Sequence, residues 1–438
     1  MCVRNELKLF AACLAAVAVL GGCGGGSLVT GGDVRLVNAT SAFPTLDLFD
    51  GSTKISSGVK SNAAGGYVDL DKGSRTFNVA DGTSGVTAAT LTGNVSRNNH
   101  YTIVAYTTGG ALATVFLSDD EGSPSSGTAK LRFFNAAASD VASVDAYLVA
   151  SACSSLATSF SAPIATAVSG LQSSYAQANA TAAGTSYHIC ITTAGDKSDL
   201  RLDIPAVTLK DQQIVTVILT PTTGGVLLNG LLLNQQSTLT VAANTSARIR
   251  LAVGAANSAS VTANANGVAL GTGLIAPAVG NYKIVPAGPL TIDMTVGGVT
   301  ATNVAGLTAA AGADLTLLVT GTVASAPVLI ADDNSALTST TNPVKLRLVN
   351  GMNGFAAGTT AVLTDDFDNV GDGAMFGTAS TYAQVAASAA LAHLEVTFGA
   401  TQICVSDTIT LTTGNVYTVF ILGDKPPAVT TCTLRLDR

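Results

Sequence analysis

The residues with the most distinctive chemistry in this chain are its cysteines, of which there are seven. Cys153, Cys190, Cys404 and Cys432 lie in the body of the sequence, and four cysteines allow three pairings. The simplest pairing joins Cys153 to Cys190 and Cys404 to Cys432, because each pair then lies inside one sequence repeat. Exported proteins meet oxidising conditions, so we expect two disulfides, each worth roughly 3–4 kcal/mol in the chain-entropy model.

Motifs for metal binding or catalysis have little support in the sequence. No Cys-x-x-Cys pair occurs, and the only histidines are His100, His188 and His393, so no metal ion or other cofactor is predicted. Gly-x-Ser-x-Gly and His-Glu-x-x-His are both absent, so no catalytic residue is predicted. The segment 271–276 resembles a dinucleotide fingerprint, but it leads into Pro277 and is expected to be a loop. The sequence therefore favours a protein that is not an enzyme.

One acidic loop, residues 365–373, has alternating carboxylates of the kind that can hold calcium. Val370 occupies the position of a third oxygen ligand, and the glutamate of an EF-hand is missing. We therefore expect a solvated loop with no metal, and the sequence leaves calcium binding there open.

Four arginines recur at equivalent positions, namely Arg35, Arg132, Arg250 and Arg347. A functional interpretation makes them ligand contacts. A structural interpretation has each guanidinium bonded to carbonyls or to an acidic partner at the end of a sandwich, with its stem on apolar surface. Recurrence in every repeat favours the structural interpretation. Tyrosines that recur in the same repeats are expected to be core residues with a bonded hydroxyl.

The N-terminal segment predicts export. Arg4 and Lys8 precede an apolar run, 9–20, which is too short to span a bilayer. The run ends in Leu20-Gly21-Gly22-Cys23, which resembles a bacterial lipobox. The resemblance implies removal of residues 1–22 as a signal peptide and lipidation of Cys23. Gly24 follows where an inner-membrane signal would place Asp, which by resemblance to Gram-negative lipoproteins favours a lipid anchor in the outer membrane. The alternative is ordinary signal-peptidase cleavage, with Cys23 incidental.

The composition predicts an all-β protein without a nucleic-acid partner. The net charge is −7, and no basic stripe is present. Only 11% of residues are charged and 47% are hydrophobic, so long charged helices are not expected. Runs rich in Thr and Val, broken by Gly and Asn, are typical of strands and turns.

Internal repeats fix the number of domains. Three elements keep their order four times, with a period of roughly 100 residues, the size of one immunoglobulin-like sandwich. The opening strand, with its arginine, occupies 34–39, 131–136, 249–252 and 346–351. The second element ends in Tyr67, Tyr175, Tyr282 or Tyr382. The third is a buried-type strand at 101–104, 215–218, 315–318 and 417–420. The sequence therefore predicts four tandem immunoglobulin-like β-sandwich domains.

The predicted sandwiches occupy residues 33–122, 129–235, 247–334 and 344–438. A Gly-rich tether, 23–32, follows the signal peptide, and polar linkers at 122–127, 235–246 and 334–343 separate the domains. Linkers of this composition are expected to be flexible and to allow bending between domains. In the first domain we predict seven strands, with Leu46 and Leu48 facing the core and Asp47 facing solvent.

The opening motifs at 35–39, 44–51 and 73–79 resemble those of a bacterial family, domain of unknown function 4397. The second repeat keeps this opening at 143–147, the third has a similar stretch at 282–288, and the fourth keeps 347–350. The third repeat lacks the Asn that follows the arginine elsewhere, and the fourth has a different second strand at 360–365, so the last two repeats are divergent copies. The resemblance implies secreted or surface β-sandwich repeats and brings no known catalytic or binding residues.

Two functional hypotheses follow from these expectations. The first is a non-catalytic surface module, held in the membrane through its N-terminal lipid, that binds a protein or a surface polymer. The second is a periplasm-facing structural or assembly protein of the outer membrane. An exposed sheet edge could recruit a partner strand in either case, unless prolines, bulges or lysines protect it.

Overall fold

A computed structural model shows a chain built almost entirely of β-strands, which confirms the predicted all-β class and the tandem sandwiches. The structure describes residues 31–302, 304, 306–337, 343–356, 358–388, 390–426 and 430–438. The predicted signal peptide, the lipidated Cys23 and most of the tether lie outside these residues. No helix within the described ranges is long and apolar enough to cross a membrane.

We call the four sandwiches unit one to unit four, in chain order. Unit one and unit two each contain two mainly antiparallel sheets. The strands of unit one are β1 Gly31–Asn38, β2 Thr45–Asp50, β3 Thr53–Lys60, β4 Ala63–Ala64, β5 Val68–Asp71, β6 Gly73–Asp81, β7 Thr87–Val95, β8 His100–Thr108 and β9 Ala111–Ser118. Unit two has β10 Thr128–Asn135, β11 Val144–Val149, the 3-10 helix η1 Cys153–Thr158, β12 Ala165–Val168, β13 Ala176–Asn179, β14 Thr185–Thr193, β15 Leu200–Leu209, β16 Ile214–Pro221, β17 Leu228–Asn234 and β18 Leu239–Ala242.

Unit three and unit four follow the same plan. Unit three has β19 Ser246–Ala255, the 3-10 turn η2 Ala256–Ser258, β20 Ser260–Ala265, β21 Val268–Ile275, β22 Ala278–Val279, β23 Lys283–Pro286, β24 Gly288–Pro289, β25 Ile292–Val296, β26 Val299–Thr300, β27 Thr308–Ala309, β28 Asp314–Gly321 and β29 Val328–Asp332. Unit four has β30 Pro343–Asn353, β31 Thr360–Asp365, β32 Asp368–Asn369, β33 Ala374–Met375, β34 Thr378–Ala379, β35 Ala383–Ala386, β36 Ala392–Phe398, β37 Thr401–Ile409, β38 Val416–Asp424 and β39 Thr430–Leu436.

One sheet of each unit contains the opening strand, and we call it the opening sheet. Its order is β4-β1-β8-β9 in unit one, β13-β10-β16-β17-β18 in unit two, β22-β19-β28-β29 in unit three and β34-β30-β38-β39 in unit four. In every unit the opening strand runs parallel to the long buried strand beside it, for example β1 beside β8. The second sheet packs on one face of the opening sheet and forms the core of the unit.

Alternation along the strands places apolar side chains between the two sheets of each unit. In unit one Leu46 and Leu48 are fully buried in the core, as predicted. Asp47 points to the other face, but it is only 6% exposed rather than solvated. Its carboxylate accepts hydrogen bonds from Lys54 Nζ at 2.5 Å and from Gly58 N at 2.7 Å. Both partners belong to β3, a polar edge strand that the sequence pattern did not reveal.

Both expected disulfides form. Cys153 is joined to Cys190 with a Cα–Cα distance of 5.6 Å, and Cys404 to Cys432 with a Cα–Cα distance of 6.3 Å. The first bond attaches η1 to the outer face of the sheet that contains β14, where Tyr147 and Leu156 are buried beside it. Each disulfide lies inside one unit, as the repeat pattern indicated.

Parts of the predicted tether and of two predicted linkers belong to the packed units instead of forming flexible connections. Gly31 and Gly32, assigned to the tether, belong to β1 and pair with β5. The segment 235–246 contains β18, whose Leu239 packs against a cluster shared by units one and two. Asn334, assigned to the third linker, is fully buried and donates from its amide to Asp314. The physical reason is that the opening sheets bury their outer faces against one another, which draws the connecting segments into contact.

Candidate functional site at the junctions between units

The opening strands place the four recurring arginines on the outer face of each opening sheet. In β1, Val34 and Leu36 face the core of unit one, and the intervening Arg35 faces away from it. This outer face is nevertheless buried, because the opening sheets of units one and two pack back to back, as do those of units three and four. All four arginines are therefore at most 6% exposed.

Each arginine has the same two neighbours within its own unit. The arginine Nε donates to a threonine hydroxyl at 2.9, 2.8, 2.8 and 3.2 Å in the pairs Arg35–Thr102, Arg132–Thr216, Arg250–Thr316 and Arg347–Thr418. The guanidinium carbon lies 4.4, 4.8, 4.7 and 4.4 Å from the ring centres of Tyr67, Tyr175, Tyr282 and Tyr382. Stacking on an aromatic face stabilises a cation that has lost its water. Contacts within its own unit thus set the orientation of each guanidinium, independently of the neighbouring unit.

At the junction of units three and four, the arginines exchange aspartates. Arg250 of unit three forms a two-pronged pair with Asp437 of unit four, with Nη2 donating to Oδ2 at 3.0 Å. Arg347 of unit four donates to Asp332 of unit three, and its Nη1 donates to the Ala331 carbonyl at 2.8 Å. Asp332 also lies 3.4 Å from Arg250. Two arginines and two aspartates thus neutralise one another across the junction.

At the junction of units one and two, the two arginines share one aspartate, Asp119. Arg35 pairs with Asp119 at 2.9 Å and donates to the carbonyl of Ser237 in the next unit at 2.6 Å. Arg132 donates to the carbonyl of Ser118 at 3.0 Å and lies 4.0 Å from the same Asp119. Gln235 occupies the position of the missing aspartate and bonds instead to the backbone of unit one. One carboxylate therefore serves two buried cations.

Apolar side chains surround both ionic clusters. At the first junction Val104 and Leu117 of unit one contact Phe134 and Ile218 of unit two. Tyr106 meets Phe134 edge to face, with 5.2 Å between ring centres. At the second junction the buried set is Ala252, Leu318, Val349, Phe420 and Leu422. Fully desolvated charges need such packing and complete hydrogen bonding to be tolerated.

Glycines allow the second junction to close. A Cβ added to Gly254 of β19 would lie 2.4 Å from the carbonyl oxygen of Gly351 in β30. A Cβ on Gly351 would in turn lie 2.7 Å from Leu422 and 2.9 Å from Leu318. Asn353 adds a hydrogen bond across the junction, from its amide to the Gly254 carbonyl at 2.7 Å. The two opening strands therefore approach to a distance that larger residues would prevent.

The two pairs of units also contact each other. Gly224 N donates to the Gly312 carbonyl at 3.0 Å, which links unit two to unit three. Arg438 lies 3.5 Å from Asp140 and donates to the Ser139 carbonyl, which links unit four to unit two. The four units are consequently joined by packing and ionic contacts as well as by the chain.

The charges at the junctions shift the pKa of their neighbours. Burial alone would raise the pKa of Asp332, but Arg347 and Arg250 hold it below its ordinary value. Burial raises the pKa of Tyr282 well above its ordinary value, and the negative charge of Asp332 raises it further. Burial also raises the pKa of Tyr67, Tyr175 and Tyr382. The tyrosines therefore stay neutral beside the ion pairs.

Because of these tyrosines, we expect the fold to lose stability at alkaline pH. A group whose folded pKa is raised stabilises the fold below its unfolded pKa, here 10, and that stability is lost as the pH rises further. We expect the free energy of unfolding to fall as the pH rises above about 10. Absorbance of tyrosinate followed together with circular dichroism would test this, with Tyr282→Phe as the matched variant. Ionisation of the junction tyrosines at their ordinary pH without unfolding would contradict it.

The other residues that could bind a metal or take part in catalysis are dispersed over the units. His100, His188 and His393 lie in units one, two and four, each beside an aspartate: Asp120 at 3.1 Å, Asp203 at 2.9 Å and Asp407 at 2.5 Å. They form no shared relay. In the acidic loop burial raises the pKa of Asp365, and the charges of Asp366 and Asp368 raise it further, beside a cleft of about 660 Å³. The absence of a metal there stays a prediction.

The location of the arginines differs from the one expected. Their partners are carbonyls and carboxylates, as the structural interpretation held, but they lie between units rather than at a sandwich end. The tyrosines stack on guanidinium groups instead of filling the cores. Only Tyr67 and Tyr282 donate to aspartates, Asp119 and Asp332, while the Tyr382 hydroxyl is buried without a hydrogen-bond partner within the described ranges.

Two sets of residues that bond to the arginines, threonines and aspartates, were not identified from the sequence, although both sets recur at equivalent positions. Thr102, Thr216, Thr316 and Thr418 occupy the same place in the third recurring element, which was interpreted only as a buried strand. Asp119, Asp332 and Asp437 each stand at or just after the last strand of a unit. A search for polar residues that recur in step with the arginine would have found both sets.

Comparison with known families finds one that matches the first part of the chain. Residues 32–147 match the family described as Domain of unknown function (DUF4397), which confirms the resemblance carried by the opening motifs. A solved structure, "The Bacillus anthracis TIE protein", aligns at 10% identity over 87% of this chain and 66% of that chain, with a TM-score of 0.14. The chain thus spans just under two thirds of that protein. No curated protein matches the sequence.

Proposed function

We propose that this chain, whose residues 32–147 match the DUF4397 family, is a non-catalytic binding module of the cell envelope. Its four units hold their exposed loops in fixed relative positions, so that several of them meet another surface at once. A protein or a surface polymer is the expected kind of ligand. Anchoring through lipid on Cys23, suggested by Leu20-Gly21-Gly22-Cys23, would place the module in the outer membrane.

The observation that carries this proposal is the use of all four recurring arginines between units. A repeated, exposed arginine would favour direct contact with a ligand, but Arg250 and Arg347 are 2% exposed and bound to aspartates. The free energy of these ion pairs stabilises the arrangement of the units relative to one another. An array of fixed geometry loses less conformational freedom on binding than a flexible one, which favours affinity for an extended surface.

Exposed apolar side chains at loop tips supply candidate contacts for such a surface. Phe160 of unit two is fully exposed, and Phe367 of unit four is 78% exposed. Large exposed apolar residues are favourable at binding surfaces because they bury much area on contact. The sheet edges fit the proposal less well. The edge strand β15 contains Pro205, a bulged register and Ala206 at positive φ, which protect it from strand addition.

The experiment is protease accessibility on intact cells, compared with cells whose outer membrane has been opened. The proposal predicts digestion of the units on intact cells, and it predicts that a Cys23→Ser variant is released from the membrane fraction. Purified protein added in excess should then compete with cells for attachment to the surface that they bind.

Protection until the outer membrane is opened would overturn surface display. That result would instead support a periplasm-facing structural or assembly protein, which the packed junctions suit equally well because they set a fixed spacing. Retention of Cys23→Ser in the membrane would overturn the lipid anchor alone.

A further inference from the structure

Three metal-ligating side chains of unit two lie together on the outer face of a sheet, and a disulfide joins Cys190 to this cluster. His188 and Cys190 lie two residues apart on β14 and so share a face, and Asp203 of β15 stands directly opposite Cys190. The disulfide brings Cys153, at the start of η1, to the same place. Ligand atoms of Cys153, His188 and Asp203 all lie within 4.8 Å of one another.

The two polar ligands are oriented and reachable. His188 Nδ1 and Asp203 Oδ1 are 2.9 Å apart, so the carboxylate fixes the imidazole. Their side chains are 23% and 31% exposed, whereas Cys153 is 3% exposed. An ion can therefore approach from the His188 and Asp203 side while the sulfur atoms stay shielded. No sequence motif announces the cluster, because its members come from two strands and a 3-10 helix.

Contacts other than the disulfide hold η1 in position. Leu156 is 1% exposed and packs with Tyr147 against the sheet. Lys197 Nζ donates to the carbonyls of Ser159 and Ser161 at 3.1 and 2.7 Å, at the end of the same segment. Opening the disulfide would therefore leave Cys153 close to His188 and Asp203.

We propose that this cluster binds one zinc ion when the Cys153–Cys190 disulfide is reduced. A dithiol reductant supplies two electrons and two protons, which convert the disulfide into two thiols while the reductant becomes a disulfide. Zinc then displaces the two thiol protons into solvent and is held by both thiolates, the imidazole of His188 and the carboxylate of Asp203. Two sulfur, one nitrogen and one oxygen donor suit a tetrahedral zinc site.

The consequence is a unit that is closed in two alternative ways. Under oxidising conditions the disulfide attaches η1 to the sheet. Under reducing conditions the zinc ion takes over the same attachment, because metal binding to residues on two segments stabilises the fold that brings them together. The second disulfide offers no such alternative, since no comparable ligand cluster surrounds Cys404 and Cys432 in the described ranges.

The test uses the full chain with Cys2, Cys13, Cys23, Cys404 and Cys432 replaced by serine, so that only one disulfide remains. Cobalt(II) serves as the probe, because thiolate ligands give it a charge-transfer band, and zinc is then added to displace it. The reduced protein should bind about one cobalt ion per chain, and the oxidised protein none.

His188→Asn and Asp203→Asn are the matched variants, and both keep the disulfide and so the oxidised fold. Each should weaken cobalt binding by at least about tenfold, the effect typical of losing one well-placed group at a metal site. Circular dichroism of the reduced protein would show whether unit two remains folded. Absence of the charge-transfer band in the folded reduced protein would overturn the proposal, and so would binding of cobalt by both variants as tightly as by the parent protein.

Discussion

Replacing Asp332 with alanine is expected to destabilise units three and four by about 3–5 kcal/mol, because removal of one partner leaves buried charges unpaired. Asp332 is 4% exposed and serves two arginines, Arg347 directly and Arg250 at 3.4 Å. It also accepts a hydrogen bond from Tyr282 at 2.5 Å and one from Thr316 at 2.7 Å. The measurement is the midpoint of chemical denaturation, compared with that of the parent protein.

The neighbouring residue provides the control for this experiment. Asp333 pairs with Lys345 at 2.7 Å, but its side chain is 52% exposed. Asp333→Ala should therefore cost less than Asp332→Ala, because the half-exposed carboxylate of Asp333 serves one cation, Lys345, rather than two buried arginines. Equal effects of the two variants would contradict the assignment of Asp332 as the centre of the junction.

Phe134→Ala is expected to cost about 3–5 kcal/mol and to separate unit one from unit two, because it empties the apolar centre of the junction. Phe134 is fully buried among Val104, Leu117 and Ile218. Once the junction opens, the segment 235–238 loses its hydrogen bonds to Asp119 and Glu121 of unit one and should become a site of cleavage. Denaturation combined with limited proteolysis would measure both effects.

Phe133→Ala is the matched control, since the adjacent side chain faces the core of unit two instead. It should lower the stability of unit two by a similar amount while leaving the segment 235–238 in its contacts with unit one and resistant to protease under native conditions. If Phe134→Ala left that segment equally resistant, the apolar contact would not be what joins the two units.

Repetition in the sequence was sufficient to predict the architecture. Three elements recurring four times indicated four sandwiches, and alternation in 45–49 placed Leu46 and Leu48 correctly in the core. The disulfide pairing followed from the same repeats. Such predictions succeed because they depend on local periodicity and on proximity along the chain.

The junctions were not predicted in this way, because the apolar runs of the third element indicate a strand buried on both faces but do not show what covers its outer face. Val37 and Val104 lie on that outer face, at the first junction. Two arginines with equivalent sequence motifs, Arg35 and Arg250, even select aspartates in different units. The choice depends on how two whole sheets stack, which no local signal encodes.

The paired arrangement changes how the proposed function should be understood. Flexible sandwiches would adapt to any surface, whereas packed pairs match only surfaces with a compatible spacing. Gln235 at the first junction suggests that the two pairs differ in strength, since Arg132 has no carboxylate of its own. Variation at this single position would alter the rigidity of the array without affecting any core.

The most direct test of the paired junctions is a double-mutant cycle between Arg250 of unit three and Asp437 of unit four. Arg250→Met and Asp437→Asn would be measured singly and together by chemical denaturation. Buried groups in contact couple by about 0.5–3 kcal/mol, and we expect the upper part of that range for this two-pronged pair. Additive effects, with a coupling energy near zero, would show that the two units do not share this junction and would contradict the account.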